Sequence, residues 1–209
     1  MKSLFILYLC IMACSLFGAR PFGTDDAGTV TPSGFELELG SDLWEDYAVL
    51  ELGFKHGLTD RMDIGVGVGY TILPEDTNGF GNAEVCLKFA LVPDLFAASF
   101  TGSLGDMPYS LNAIVTRNIG PAEVDVNVGY EATGMEGFEG MVFYTLAVIY
   151  NTGNLALGAE AGGDEDDIQT WLAGARYTIL PGFAVDGGIT GGFQDEDDLT
   201  ATIGIHFEF

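Results

Sequence analysis

Apolar and polar residues alternate over most of this chain. In MDIGVGVGY, residues 62–70, Ile64, Val66, Val68 and Tyr70 share one parity and Asp63, Gly65, Gly67 and Gly69 the other. AEVDVNVGY, residues 122–130, sets Val124, Val126, Val128 and Tyr130 against Glu123, Asp125 and Asn127. A period of two sends alternate side chains to opposite faces of an extended strand. Twelve strands are predicted, over residues 34–41, 47–56, 62–70, 82–91, 96–104, 109–118, 122–130, 141–150, 155–162, 170–180, 183–192 and 199–209, with breaks rich in Gly, Pro, Asn and Asp between them. The fifth, sixth and eighth alternate less cleanly. In the sixth, Arg117 falls on the apolar parity, near the strand end where its stem can snorkel.

The connections separate into two sets. GLTDR (57–61), VPD (92–94), GPA (120–122), TGN (152–154) and PG (181–182) are short. DLWED (42–46), TILPEDTNGFG (71–81), GDMP (105–108), EATGMEGFEG (131–140), GDEDDIQ (163–169) and QDEDD (194–198) are longer and mostly acidic. The two sets alternate along the chain, so an up-and-down meander gathers all short turns at one end and all acidic loops at the other. The repeated YTILP, at 70–74 and 177–181, then faces opposite ends and is read as coincidence.

Alternation alone does not say which face is buried. A soluble sandwich and a membrane barrel share it, the first burying its apolar face and the second turning that face to lipid. Here the polar parity is rich in Gly and in charges of both signs, and several strands reach the roughly nine to eleven residues that a spanning strand needs. Aromatics such as Trp44, Tyr47, Tyr70, Phe96, Tyr109, Tyr130 and Tyr150 sit at strand ends, where interfacial girdles form. An even strand number brings both termini to the short-turn end, and closure removes an exposed sheet edge. The predicted fold is therefore all-β: a single antiparallel up-and-down transmembrane β-barrel of about twelve strands.

The first nineteen residues, MKSLFILYLCIMACSLFGA, have Lys2, an apolar run from Leu4 to about Ala13 and then small residues, the pattern of a secretory signal peptide. Cleavage is placed after Ala19. The alternative is lipidation at Cys14, because IMAC is similar to a lipoprotein box. With residues 1–19 removed, Cys86 is the one cysteine left and no intrachain disulfide can form. Residues 20–209 are the barrel domain. Within it residues 20–33 lack alternation and form a periplasmic or lumen-entering leader, in which Asp25 and Asp26 could cap or plug. Seven Lys and Arg against 31 Asp and Glu, a net charge of −24, argue against nucleic acid as a partner.

By parity the lumen receives Glu36, Glu38, Glu51, Lys55, Asp63, Glu84, Lys88, Glu123, Asp125, Glu160, Arg176, Asp186, His206 and Glu208. That is ten carboxylates and three cations beside His206. An open pore so lined favours cations. In a plugged lumen Lys55, Lys88 and Arg176 instead pair with neighbouring carboxylates. The two DEDD runs, 164–167 and 195–198, lack the spacing of a calcium loop and are read as solvated charge that bridges divalent ions to lipopolysaccharide. Catalysis needs a nucleophile beside a base. The two histidines, His56 and His206, both fall toward the short-turn end and no Ser–His pair is evident. No catalytic residue, cofactor or metal ligand is assigned.

RPFGTDDAGTVTPSGFELELG (20–40), through Arg20, Pro21, Phe22, Thr24, Asp25, Asp26 and Ala27, resembles the opening of the bacterial outer-membrane barrel family known as MetA-pathway of phenol degradation. HGLTDRMDIGVGVGY (56–70) looks like that family's first short turn and third strand. GFGNAEVCLKFAL (79–91) looks like its next strand, with Asn82 where Asp is commoner. The resemblance implies an outer-membrane location and passage of aromatic or other hydrophobic compounds. The expected function is a passive channel or transporter for small hydrophobic or cationic solutes. The alternative is a non-conducting structural or surface barrel with acidic extracellular loops. Expected partners are outer-membrane lipid and lipopolysaccharide, the barrel-assembly machinery and a small solute. TATIGIHFEF (200–209) is expected to be the closing strand, with Phe207 and Phe209 as its assembly signal.

Overall fold

The structure is a computed structural model that describes residues 20–105, 108–132, 140–193 and 199–209. Residues 1–19, expected to be a signal peptide with Cys14 as the alternative lipidation site, and the run 195–198 lie outside the described residues. Twelve strands form the barrel: β1 Phe35–Leu43, β2 Ala48–Thr59, β3 Met62–Leu73, β4 Ala83–Val92, β5 Phe96–Leu104, β6 Tyr109–Ile119, β7 Ala122–Ala132, β8 Met141–Thr152, β9 Leu155–Asp164, β10 Ile168–Leu180, β11 Phe183–Gly192 and β12 Thr200–Glu208. Each pairs antiparallel with its neighbours in sequence, and β12 pairs with β1, from Glu36–Glu208 to Leu43–Ala201, so the sheet closes. Within the loop after β3, Gly79–Phe80 folds back to pair with Tyr70 and Thr71.

Two- and three-residue turns gather at one end, after β2, β4, β6, β8 and β10. Gly120 and Gly153 take φ of 62° and 59° there, a conformation that a tight hairpin requires and glycine adopts without strain. The connections after β1, β3, β5, β7, β9 and β11 leave from the other end, the one after β9 being three residues long, and the two YTILP copies end at opposite rims, on β3 and β10. Five strands, β1, β3, β7, β9 and β10, run two or three residues farther toward the loops than the sequence reading placed them. β1 takes in Asp42 and Leu43, and β7 takes in Glu131 and Ala132. Both extensions continue the inward parity of Glu36, Glu38 and Gly40 and of Asp125, Asn127 and Gly129.

The burial pattern is that of an inside-out protein. Leu52, Val66, Phe100, Leu111, Val128, Val148, Ile189 and Ile203 are exposed on the outer wall. Glu38, Glu51, Lys55, Asp63, Lys88, Asp125, Asp186 and His206 are buried within. Arg117, near the short-turn end of β6, is exposed. Aromatic contacts mark both rims. Trp44–Tyr47 and Tyr70–Phe80 pack edge-on at the loop end, with centroids 4.8 and 4.9 Å apart, and Phe183–Phe207 stacks at 4.4 Å at the turn end. Such belts suit the two interfaces of a bilayer.

Candidate functional site

The site is the lumen, and the segment before β1 fills its middle. Irregular backbone at membrane depth must find hydrogen-bond partners away from water. The barrel wall supplies them from side chains. The Thr24 N–H donates to Glu160 Oε2 at 2.7 Å, and the Asp25 N–H to Asn127 Oδ1 at 2.8 Å. Asn127 returns a bond from Nδ2 to the Asp25 carbonyl at 2.8 Å. The Ala27 N–H donates to Thr116 Oγ1 at 2.8 Å, and that hydroxyl donates on to Asp125 Oδ1 at 2.6 Å. The Val30 N–H donates to Asp63 Oδ2 at 2.9 Å.

Charge and apolar contacts add to this. Arg20 reaches Glu51 on β2 at 3.3 Å, Asp186 on β11 at 3.6 Å and the Thr202 hydroxyl on β12 at 2.7 Å. Lys88 on β4 meets Asp25 Oδ1 at 2.9 Å and the Asp26 carbonyl at 3.1 Å. Phe22, 2% exposed, packs with Ile149 on β8 and Leu172 on β10, and its burial contributes roughly 2–3 kcal/mol. Ala27 packs with Ala97 on β5 and Ile114 on β6. With Gly40 of β1 lying against the Arg20 guanidinium, residues 20–30 touch all twelve strands. Only a segment inside a closed barrel can do that.

These contacts explain the irregular strands. Ala97, Ile114 and Ile149 are inward apolar residues on β5, β6 and β8, the three strands whose alternation is poorest. They are sockets for the leader. The sequence signal was present as broken parity, but it named no partner. Residues 20–30 of the leader thus lie within the barrel. Burial pushes the Asp25 carboxyl up to about 6, against the opposing pull of Lys88.

The three cations of the barrel wall are each beside a carboxylate: Lys55 with Glu36 at 2.6 Å, Lys88 with Asp25, and Arg176 with Glu38 at 3.8 Å. Lys88 takes its partner from the leader rather than from the wall. Toward the loops, Asp42, Glu51 and Glu131 are buried and Glu84 half-buried, with Glu84 Oε2 lacking a hydrogen-bond partner. Sequence reasoning missed Asp42 and Glu131 by assigning them to loops. Toward the turns a cavity of about 540 Å³ opens below the leader, lined in part by Glu36, Glu38, Lys55, Arg176 and His206. Glu208 is at its mouth, with a side chain 65% exposed. At the loop rim the run 164–167 folds on itself. Asp164 accepts from the Asp166 N–H at 2.9 Å and from Gln169 Nε2 at 2.6 Å, so both its oxygens are engaged.

No family model and no curated protein matches this chain. Solved structures do. A KdgM porin superposes with a TM-score of 0.65 at 10% identity, over 83% of this chain and 99% of that one. An outer membrane channel from Pseudomonas putida F1 gives 0.64 at 12% identity, over 88% and 97%. Outer membrane phospholipase A from Escherichia coli gives 0.54 at 11% identity, over 85% and 94%. At such identity the likeness is one of fold: this is a transmembrane β-barrel built like those of bacterial outer membranes.

Proposed function

We propose that this protein is an outer-membrane channel for small solutes, closed at rest by its own residues 20–30. One observation carries this reading. The lumen is polar and charged, and what fills it is a segment held by side chains rather than by the sheet ladder. A purely structural barrel can fill its interior from its own walls, whereas here a separable strand of chain does so, and it can leave without breaking a strand pairing. The carboxylate surplus favours cations among charged solutes. Passage of hydrophobic compounds, and membership of the MetA-pathway of phenol degradation family, belong to the same proposal. Their support is that Arg20–Ala27, the residues carrying the resemblance, are the ones that occupy the lumen. Phospholipase A shows that such barrels can be enzymes, but the non-catalytic reading is preferred. His206 spends both ring nitrogens on Glu38 and Glu208, and His56 Nδ1 meets the Gly34 carbonyl at 3.0 Å.

The test is single-channel conductance in a planar bilayer. The intact chain is expected to show small or rare openings. A chain lacking residues 20–30 is expected to conduct several-fold more and to select cations. A deleted chain that inserts, is folded and conducts no more than bare lipid would favour the non-conducting barrel.

A further inference from the structure

The seam where β12 meets β1 carries a side-chain cluster that the leader does not use. Register sets Glu36 opposite Glu208 and Glu38 opposite His206, and all four line the cavity below the leader. One ligand atom from each of Glu36, Glu38 and His206 lies within 4.8 Å of the other two. His206 Nδ1 is 3.0 Å from Glu38 Oε1 and its Nε2 is 2.9 Å from Glu208 Oε1. Carboxylate oxygens only accept. An imidazolium donates to both, whereas a neutral imidazole donates to one and leaves its other nitrogen free to bind a cation. Glu38 is 4% exposed, yet its Oε2 has no hydrogen-bond partner. Arg176 approaches Glu38 only to 3.8 Å, and its Nη2 makes no hydrogen bond. The walls of the cavity carry five side-chain carboxylates and three Lys and Arg cations, an excess that one divalent ion would balance.

We propose that Glu36, Glu38 and His206 form a binding site for a first-row divalent transition metal of the Zn²⁺ type, with Glu208 holding the far imidazole nitrogen. Imidazole with carboxylates suits such an ion, whereas calcium and magnesium favour all-oxygen sets. Ligands about 2.0–2.2 Å from a tetrahedral metal lie closer together than 4.8 Å, so side-chain rotations close the site while the strands stay paired. Lys55, 2.6 Å from Glu36 Oε1, is the competitor for that ligand. Two ligands come from the first strand and one from the last, so the ion joins the ends of the sheet beyond their backbone ladder. Water reaches the site through the cavity. None of this depends on whether the barrel conducts.

Zinc binding to the purified chain in detergent micelles, measured by calorimetry, tests the site, with Co²⁺ absorption reporting ligand number. His206→Gln and Glu38→Gln are each expected to weaken binding about 10–100-fold, as loss of a ligand or its support does. Lys55→Met, which frees Glu36, is expected to strengthen it. The acidic loops contribute a weak background equal in all variants. Folding of each variant is checked by its heat-dependent shift in gel mobility. If His206→Gln fails to fold, Glu38→Gln and Lys55→Met still decide. Zinc binding unchanged in the folded variants, or a Co²⁺ spectrum of six oxygen ligands only, overturns the proposal.

Discussion

Gly40 and Gly204 show what a single missing Cβ does in this lumen. Both face inward, on β1 and β12, and a Cβ built on either would run into the Arg20 side chain. Glycine is needed there for room. Gly158 and Gly174 stand in the same relation to Phe22 and Pro21. The Gly-rich polar parity is thus, at these positions, the imprint of the leader on the wall. Gly40→Val or Gly204→Val should overpack the Arg20 site and weaken docking by about 1–3 kcal/mol. Hydrogen exchange checks this: the Thr24, Asp25, Ala27 and Val30 amides are expected to lose protection while strand amides keep theirs. Unchanged protection would mean that Arg20 does not anchor the segment.

Two elements, the leader and the closing strand, bear on function. Docked Asp25 has its carboxyl raised from 3.8 to about 6, first by burial and in spite of Lys88. The docked form holds its proton more tightly than the free one. The contribution of this group to docking is therefore fully present below about pH 4 and is lost as pH rises through about 6. Leader protection factors should fall between pH 4.5 and 7.5, and Asp25→Asn should remove that part of the dependence. An Asn variant with the same pH profile would assign it to other groups. In the closing strand, the Phe209 N–H and C=O exchange bonds with Phe35 at 3.0 and 2.8 Å, and the two rings stack at 5.6 Å. Deleting Phe209 removes two backbone bonds worth about 1 kcal/mol each at the closure point. Lower membrane levels of the folded chain are expected. Normal levels would show that neither closure nor assembly depends on this residue.

For the whole molecule, the assignment of faces is the statement most open to refutation. Val126, mid-strand on β7 and 37% exposed, lies on the outer wall. Val126→Arg should cost about 2–4 kcal/mol in vesicles, while Val126→Leu costs little. Urea unfolding in lipid measures both, and a tolerated arginine would put this face in water. The twelve strands, their direction and the two unlike ends were legible in the sequence, since each follows from local spacing and turn residues. The burial of Glu38, Glu51, Lys55, Lys88 and Asp125 follows the same period of two. Asp42 and Glu131 were missed because DLWED and EATGMEGFEG, which they open, have loop composition, although the parity ran on through both.

By itself, the sequence determined a closed inside-out sheet. A period of two with apolar residues on one parity admits few other solutions for a chain this acidic and this greasy. Tertiary structure alone decided what the inside contains. The bonds from Arg20 to Thr202, Thr24 to Glu160 and Asp25 to Asn127 join residues 182, 136 and 102 positions apart. No local pattern encodes such pairings. They exist because closure brings twelve strands around one short segment, and the same closure sets Glu36 and Glu38 beside His206.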